Sequence, residues 1–157
     1  MSKQIDQDRF TTELFDLLDE TFENHHGIYL DKGTSLFETL ETITAAEASR
    51  PVSSRCASLA AQVAHVNFYL EVLERYLTAG QAGEVDWGEI WRTVEAVTPE
   101  GWTALKQQLK QTYRRVLTRL RGLATWEGEN TIGGALAIVV HTAYHLGEIR
   151  QALCVIK

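Results

Sequence analysis

The chain of 157 residues contains only two cysteines and two prolines. Two isolated cysteines cannot form the disulfide framework on which small secreted domains depend. Cys154 falls in an apolar run, which predicts a small buried residue rather than a nucleophile. Hydrophobic residues make up 45% of the chain and charged residues 23%, close to the averages for globular proteins. The composition therefore gives no sign of a disulfide-rich, disordered or fibrous chain.

The chain also lacks an excess of positive charge and a long apolar run. Its 15 basic and 21 acidic side chains give a net charge of −6, which disfavours electrostatic binding to nucleic acid. The longest apolar run, residues 133–140, is far shorter than the roughly 20 residues that cross a bilayer. The N-terminus is polar, without the apolar stretch of a secretory signal. We therefore expect no nucleic-acid or membrane partner and a cytoplasmic location.

Apolar residues recur with a helical period in four long segments, which begin near residues 5, 53, 98 and 131. Thr98 and Pro99 form a strong helix start, because the hydroxyl can cap the helix and proline suits its first position. Thr131 is in place to cap the fourth helix. No segment alternates as a strand does. The predicted core faces of the last three helices are Leu59, Val63, Val66, Leu70, Leu73 and Leu77; Trp102, Leu105, Leu109, Tyr113, Val116 and Leu120; and Ile132, Leu136, Val139, Ala143, Leu146, Ile149 and Leu153.

Two long connections separate these helices. In the first, Thr34 or Ser35 is expected to cap a short helix, and Thr44 opens a capping box for another. The second connection, residues 80–97, is so long that the third helix need not be the antiparallel neighbour of the second. The prediction is an all-α four-helix bundle, a single domain over residues 1–157, with two long crossover connections.

His141 and His145 are four residues apart near the C-terminus, so a helix places both side chains on one face, one turn apart. Glu148 extends the same face. On the second long helix, His65 borders the core stripe. Three neutral imidazoles converging from two helices would bind zinc, nickel or another late divalent ion and leave a position for water or substrate.

Each histidine also has a simpler interpretation. A lone histidine at the edge of a core, such as His65, is more often a hydrogen-bonded packing residue than a ligand. Two histidines four apart on one helix are common by chance. Three buried histidines without a metal would, however, leave several ring nitrogens in need of partners. Together they favour a metal site.

The pattern of these histidines is similar to that of a known superfamily. His65, followed at long range by the segment His141-Thr142-Ala143-Tyr144-His145-Leu146-Gly147-Glu148-Ile149, resembles the DinB-like (YfiT-like) metalloenzymes. Those proteins are four-helix bundles of about this length, with a divalent metal held by one histidine of helix two and a pair from helix four. Family members frequently have Gln where this chain has Glu148. Three roles stay open for Glu148: acceptor behind a ligand, fourth ligand, or polar residue of the pocket wall.

The resemblance implies metal-dependent chemistry that uses a low-molecular-weight thiol. Our first hypothesis is a divalent-metal-dependent enzyme of small-molecule metabolism, a thiol-dependent S-transferase or a hydrolase, with zinc or nickel in a trihistidine site. The alternative is a non-catalytic homodimeric metal-binding or stress-response bundle. Metal binding should weaken as the histidines protonate near their ordinary pKa of about 6.5.

Candidate substrate contacts lie in the connection after the first helix. Loops that carry such side chains next to glycine often bind ligands, although a solvated loop is equally compatible with them. Tyr69 and Tyr144 are interpreted as packing aromatics. Apolar seams and the tryptophans Trp87, Trp91 and Trp126 make a homodimer the expected assembly. The candidate substrate contacts are His25, His26, Tyr29 and Asp31, with Lys32 beside them.

Overall fold

The computed structural model describes residues 6–80 and 82–157, and these residues form seven α-helices and no β-strand. The prediction of an all-α fold is confirmed for this part of the chain. Ile5, which the sequence places at the start of the first long helix, lies outside the described residues. The helices are α1 (Gln7–Phe22), α2 (Leu36–Glu41), α3 (Ala45–Ala48), α4 (Leu59–Ala79), α5 (Glu89–Thr93), α6 (Pro99–Arg121) and α7 (Thr131–Ile156).

Several helix boundaries lie where the capping residues predict them. Ser35 and Thr44 each open a capping box, with a glutamate three residues later that accepts from the cap's backbone N–H. The Thr98 hydroxyl accepts from the backbone N–H of Gly101 at 3.1 Å. Gly80 ends α4 with φ 71°, in the left-handed region that favours glycine. Local chemistry therefore fixes these boundaries.

Two helix starts differ from the prediction. The second long helix begins at Leu59, because Ser58 caps it by accepting from the backbone N–H of Ala61 at 3.1 Å. The preceding residues 51–57 form turns and bends, closed by an isolated antiparallel bridge between Pro51 and Ser58. The last helix is capped by Asn130 with φ 63° rather than by Thr131, which is its first residue.

The long helices α1 and α6 pack against the pair formed by α4 and α7. Helix α4 packs against α6 and α7, and α1 packs against α7. Glu71 contacts Gln108 and Glu74 contacts Arg115, so residue numbers rise together and α4 runs parallel to α6. Because the second connection returns along the length of α4, the expectation that α6 is not its simple antiparallel neighbour is confirmed.

Large aromatic side chains fill the core on the side of α1 and α6. Phe22 stacks on Tyr113 with ring centroids 4.1 Å apart. The indole N–H of Trp102 donates to the Ile43 carbonyl at 2.8 Å. Trp126, expected as a candidate for a dimer interface, is instead buried and packs edge-on against Phe10 at 5.3 Å. It therefore belongs to the core.

The core face of α7 matches the prediction only in part, because Val139, Leu146 and Ile149 are buried as predicted but the first two turns differ. Ile132 and Leu136 are about 40% exposed, whereas Ala135, Ile138 and Thr142 are buried. Helix α7 is apolar on nearly all sides, so periodicity alone does not select the face that packs. Cys154, predicted as buried, is exposed for the same reason.

By length and composition alone, α7 is the one helix of the described residues that could cross a membrane. In the sequence, His141 and Thr142 end the continuous apolar run at residue 140. That run alone is too short to predict a membrane-spanning helix. A core helix passes the same test, and α7 packs on both α1 and α4. The absence of a membrane partner therefore stays a prediction.

A buried carboxylate shapes the loop after α1. Glu20 is fully buried and accepts backbone N–H groups from all four residues of 27–30, at 2.9 to 3.3 Å. Burial alone raises the pKa of Glu20, but these four donors reverse the effect and hold that pKa below its ordinary value. The loop thus wraps around a charge on α1.

Replacing Glu20 by alanine is expected to destabilise the protein by about 3 kcal/mol, because four backbone N–H groups of the loop lose a buried, charged acceptor. The matched control is Glu13→Ala on the same helix, since Glu13 makes only an exposed pair with Arg9. That control should cost less than about 1 kcal/mol. Urea unfolding followed by circular dichroism measures both. Equal losses in the two variants would contradict this account of the loop.

Candidate metal centre

Three histidines meet where α4 and α7 pack against each other. His65 of α4 and His145 of α7 are buried, and His141 of α7 is half-buried. The helices run antiparallel here, because Gln62 faces His145 while His65 faces His141. One nitrogen of each ring lies within 4.8 Å of one nitrogen of both others. The structure thus brings together all three residues predicted as metal ligands.

The spacing of the ring nitrogens fits a shared metal ion. The Nε2 atoms of His65 and His141 lie 3.2 Å apart. A tetrahedral zinc ion bonded to nitrogen at about 2.05 Å separates two ligand nitrogens by about 3.3 Å. The two nearest donors therefore need little movement to bind one ion, and all three are imidazoles, which suit zinc and nickel.

The orientation of His145 is fixed by two acceptors. Its Nδ1 contacts Gln62 Oε1 and lies 3.0 Å from Glu148 Oε2. Because both partners are oxygens, the proton belongs on Nδ1 and Nε2 keeps its lone pair. Ligand histidines commonly donate their second N–H in this way. The contact favours Glu148 as an acceptor behind a ligand over a fourth ligand.

The other two rings are held by aromatic stacking. Tyr69 stacks on His141 with ring centroids 3.6 Å apart and an interplanar angle of 12°. Trp91 of α5 lies over His65 at 4.3 Å. The Nδ1 atoms of His65 and His141 are buried and have no hydrogen-bond partner among the described residues. Packing, rather than hydrogen bonding, therefore sets the planes of these two rings.

The surroundings keep the imidazoles neutral. Burial, together with the neighbouring His145, lowers the pKa of His65 to about 4. Burial and both neighbouring histidines lower the pKa of His141 to about 3. Burial also lowers the pKa of His145, against the raising effect of Glu148. The three rings are thus in the form that binds metal at neutral pH.

The predicted substrate loop contacts α1 rather than the histidine cluster. His26 Nε2 lies 2.5 Å from Asp19 Oδ2, and the Tyr29 hydroxyl donates to Thr21 Oγ1 at 2.7 Å. His25 and Asp31 are exposed. None of the hydrogen bonds or aromatic contacts of the described residues joins this loop to the three histidines. Its role in substrate binding stays a prediction.

Sequence reasoning missed two residues of the site and did not identify the packing partner of a third. Gln62 precedes His65 by three residues and so shares its face, a signal that was available. Trp91 lies in the second connection, and only the fold brings it onto His65. Tyr69, interpreted as a packing aromatic, does pack, but it packs on the ligand ring of His141.

A cavity of about 430 Å³ adjoins the histidine cluster. It lies between the start of α4, with the loop before it, and the C-terminal half of α7. Gln62 and Glu148, the two acceptors of His145, form part of its wall. A larger cavity of about 650 Å³ lies at the opposite end of α4, and none of the three histidines lines either cavity. The lining of the first is Val52, Cys56, Ala57, Leu59, Gln62, Gly147, Glu148, Gln151, Ala152 and Val155.

Comparisons with known proteins add no assignment. A scan against protein-family models, a search of curated proteins and a search of solved structures each return no match to this chain. The case for a function therefore depends on the site itself.

The low pKa values change the expected pH dependence of metal binding. Burial lowers the pKa of all three imidazoles, to about 4 for His65 and about 3 for His141, so protons should begin to compete with Zn²⁺ below pH 6.5 rather than at it. This replaces the sequence-based expectation of a loss near 6.5. Competition with a chelator of known pH dependence measures it. A tenfold loss per unit beginning at about pH 6.5 would contradict the burial of the rings.

The same shifts predict a pH-dependent stability of the metal-free protein. Between about pH 6.5 and the lowered folded-state values, the unfolded chain binds more protons than the folded one. Stability is therefore fully present above about pH 6.5 and is lost as the pH falls below it. Circular dichroism at each pH of the metal titration separates this loss from proton competition.

Removing the Gln62 acceptor should weaken metal binding. Loss of the acceptor behind a ligand histidine typically lowers metal affinity about 10- to 100-fold. Gln62→Leu is expected to lower Zn²⁺ affinity about tenfold, at the lower end of that range, because Glu148 still accepts from His145. Gln108→Leu is the matched control, since Gln108 bonds Glu71 across α6 and α4 away from the histidines. Chelator competition measures both variants. Equal affinities would show that Gln62 does not orient the ligand.

Proposed function

We propose that this chain is a divalent-metal-dependent enzyme that acts on small molecules through His65, His141 and His145. The observation that carries the proposal is the convergence of three neutral imidazole nitrogens within 4.8 Å at the packed contact of α4 and α7. Zinc or nickel fits a site made only of imidazoles.

The architecture supports the resemblance on which part of this proposal depends. Counting only the long helices, α4 is the second and α7 the fourth, which are the positions of the metal-binding histidines in DinB-like proteins. We therefore propose that the chain folds as a four-helix bundle of this type, with α2, α3 and α5 as parts of its two crossovers.

The protein's own residues prepare the site for chemistry. Burial keeps the three rings unprotonated, and Gln62 and Glu148 orient His145. Trp91 covers His65 and limits access of water from one side. A divalent ion bound to three histidines would lower the pKa of a water or thiol at its open position and so supply a nucleophile at neutral pH. This supports a thiol-dependent S-transferase or a hydrolase.

A non-catalytic role is the second candidate, and one observation favours it. Helix α7 has no charged residue between Thr131 and Gly147, yet Val140 and Tyr144 are more than 60% exposed. A face of this kind commonly lies in an interface. The alternative is a homodimeric metal-binding or stress-response bundle. A homodimer, a cytoplasmic location and the absence of nucleic-acid and membrane partners are parts of the proposal.

Metal content tests the site directly. Tag-free protein, loaded with Zn²⁺ or Ni²⁺ and freed of excess, should contain about one ion per chain by plasma mass spectrometry. Each of His65→Ala, His141→Ala and His145→Ala should lose it while helicity is retained. His25→Ala, an exposed histidine outside the cluster, is the matched control and should keep the ion. Loss in the control as well, or retention in all variants, would contradict the trihistidine site.

A conjugation screen separates the two candidate functions. Metal-loaded protein is incubated with low-molecular-weight thiols and electrophilic acceptors, and with ester and amide substrates, against His141→Ala. Turnover that His141→Ala lacks supports the enzyme. Stoichiometric metal without turnover of any substrate supports the non-catalytic bundle.

A further inference from the structure

We propose that the cavity beside His145 binds the substrate of the proposed enzyme as a small molecule with an apolar body and a positively charged amine. The inference deepens the proposed function and rests on it, because it names the class of compound that would bind next to the acceptors of His145. It depends on the cavity lining, which was not used to assign the metal ligands.

The cavity has the dimensions of a ligand site. Its volume of about 430 Å³ lies within the range of small-molecule pockets, roughly 300 to 1,000 Å³. One wall is α7 from Gly147 to Val155, and the other comes from Val52 and the start of α4. A ligand here would contact Gln62 and Glu148, the two acceptors of His145 Nδ1.

The lining selects against anions. Apolar groups form most of the surface, among them Val52, Leu59 and Val155. Glu148 is the only charged residue of the lining, and no lysine or arginine contributes to it. A carboxylate or phosphate would therefore meet one negative charge and no compensating positive one, whereas an ammonium group would gain a charge-assisted hydrogen bond.

Glu148 has the capacity to bind an amine while it orients His145. Its Oε2 lies 3.0 Å from His145 Nδ1. The same carboxylate raises the pKa of the Tyr144 hydroxyl, through a hydrogen bond and through its negative charge. A carboxylate has about four acceptor positions, so at least one stays available for a further donor. The amine would then lie on the Nδ1 side of His145, with the Glu148 carboxylate and the imidazole ring between it and the metal-binding nitrogen.

A thiol cosubstrate that carries carboxylates would be repelled by Glu148. The cavity therefore fits the electrophilic acceptor of an S-transferase better than an anionic thiol. Gln62 and Gln151 offer neutral amide groups for the remaining polar atoms of a ligand.

Three ligands of matched size and different charge test the proposal: phenethylamine, 2-phenylethanol and phenylacetate. Each is titrated into metal-free, ¹⁵N-labelled protein at neutral pH, and amide chemical shifts are followed. Phenethylamine should shift the amides of Gly147, Gln151 and Ala57 and bind about tenfold more tightly than phenylacetate. Equal affinities, tighter binding of phenylacetate, or shifts confined to other regions would overturn the proposal.

Two glycines of α7 provide a matched pair of variants. A side chain added at Gly147 or at Gly133 meets no atom within 4 Å, and leucine favours helix more than glycine does. Gly147→Leu fills the cavity and should abolish phenethylamine binding, whereas Gly133→Leu lies outside it and should leave binding unchanged. Equal effects of the two variants would overturn the assignment to this cavity.

The Glu148→Gln variant tests the charge. It keeps the shape and one acceptor oxygen, and it should reduce the preference for phenethylamine over 2-phenylethanol to about one. An undiminished preference would overturn the role of Glu148. Metal content is measured on the same samples. Stoichiometric metal without amine binding overturns this inference alone, whereas amine binding to a protein that takes up no metal overturns the proposed function.

Discussion

The packed contact between α4 and α7 is the feature on which the rest of the site depends. It buries three imidazoles from two helices beside one another, and burial makes the charged form of each ring unfavourable. The rings are consequently neutral and each offers a lone pair, yet two buried Nδ1 atoms have no partner among the described residues. A divalent cation bound on the Nε2 side of these rings would use their lone pairs, and the ring protons of His65 and His141 would then lie on Nδ1.

The remaining features of the site act through this contact. Gln62 and Glu148 fix the tautomer of His145, while Tyr69 and Trp91 hold the planes of His141 and His65. The second connection matters for the same reason, since it carries Trp91 back along α4 to the histidines. A cavity with a single negative charge opens beside His145. Metal binding and substrate selection would therefore share Glu148.

Local patterns predicted the all-α fold and the three histidines that lie together. The capping hydroxyls of Thr44 and Thr98 predicted where α3 and α6 begin. The four-residue spacing predicted that His141 and His145 lie on one face of a helix. The face of α7 that packs was predicted only in part, with Val139, Leu146 and Ile149 correct and Ile132 and Leu136 wrong, because a helix that is apolar on nearly all sides gives a weak periodic signal. Trp91 was missed because its contact with His65 arises only in three dimensions. Neither propensity nor spacing encodes such contacts.

The most direct test of the central claim is X-ray absorption spectroscopy of the zinc-loaded protein. The account predicts a first shell of nitrogen and oxygen at about 2.0 to 2.1 Å, with multiple scattering from three imidazoles and one additional light atom. His145→Ala should reduce the imidazole number to two or abolish binding. A shell with fewer than three imidazoles in the unmodified protein, or one dominated by sulfur at about 2.3 Å, would contradict the trihistidine site.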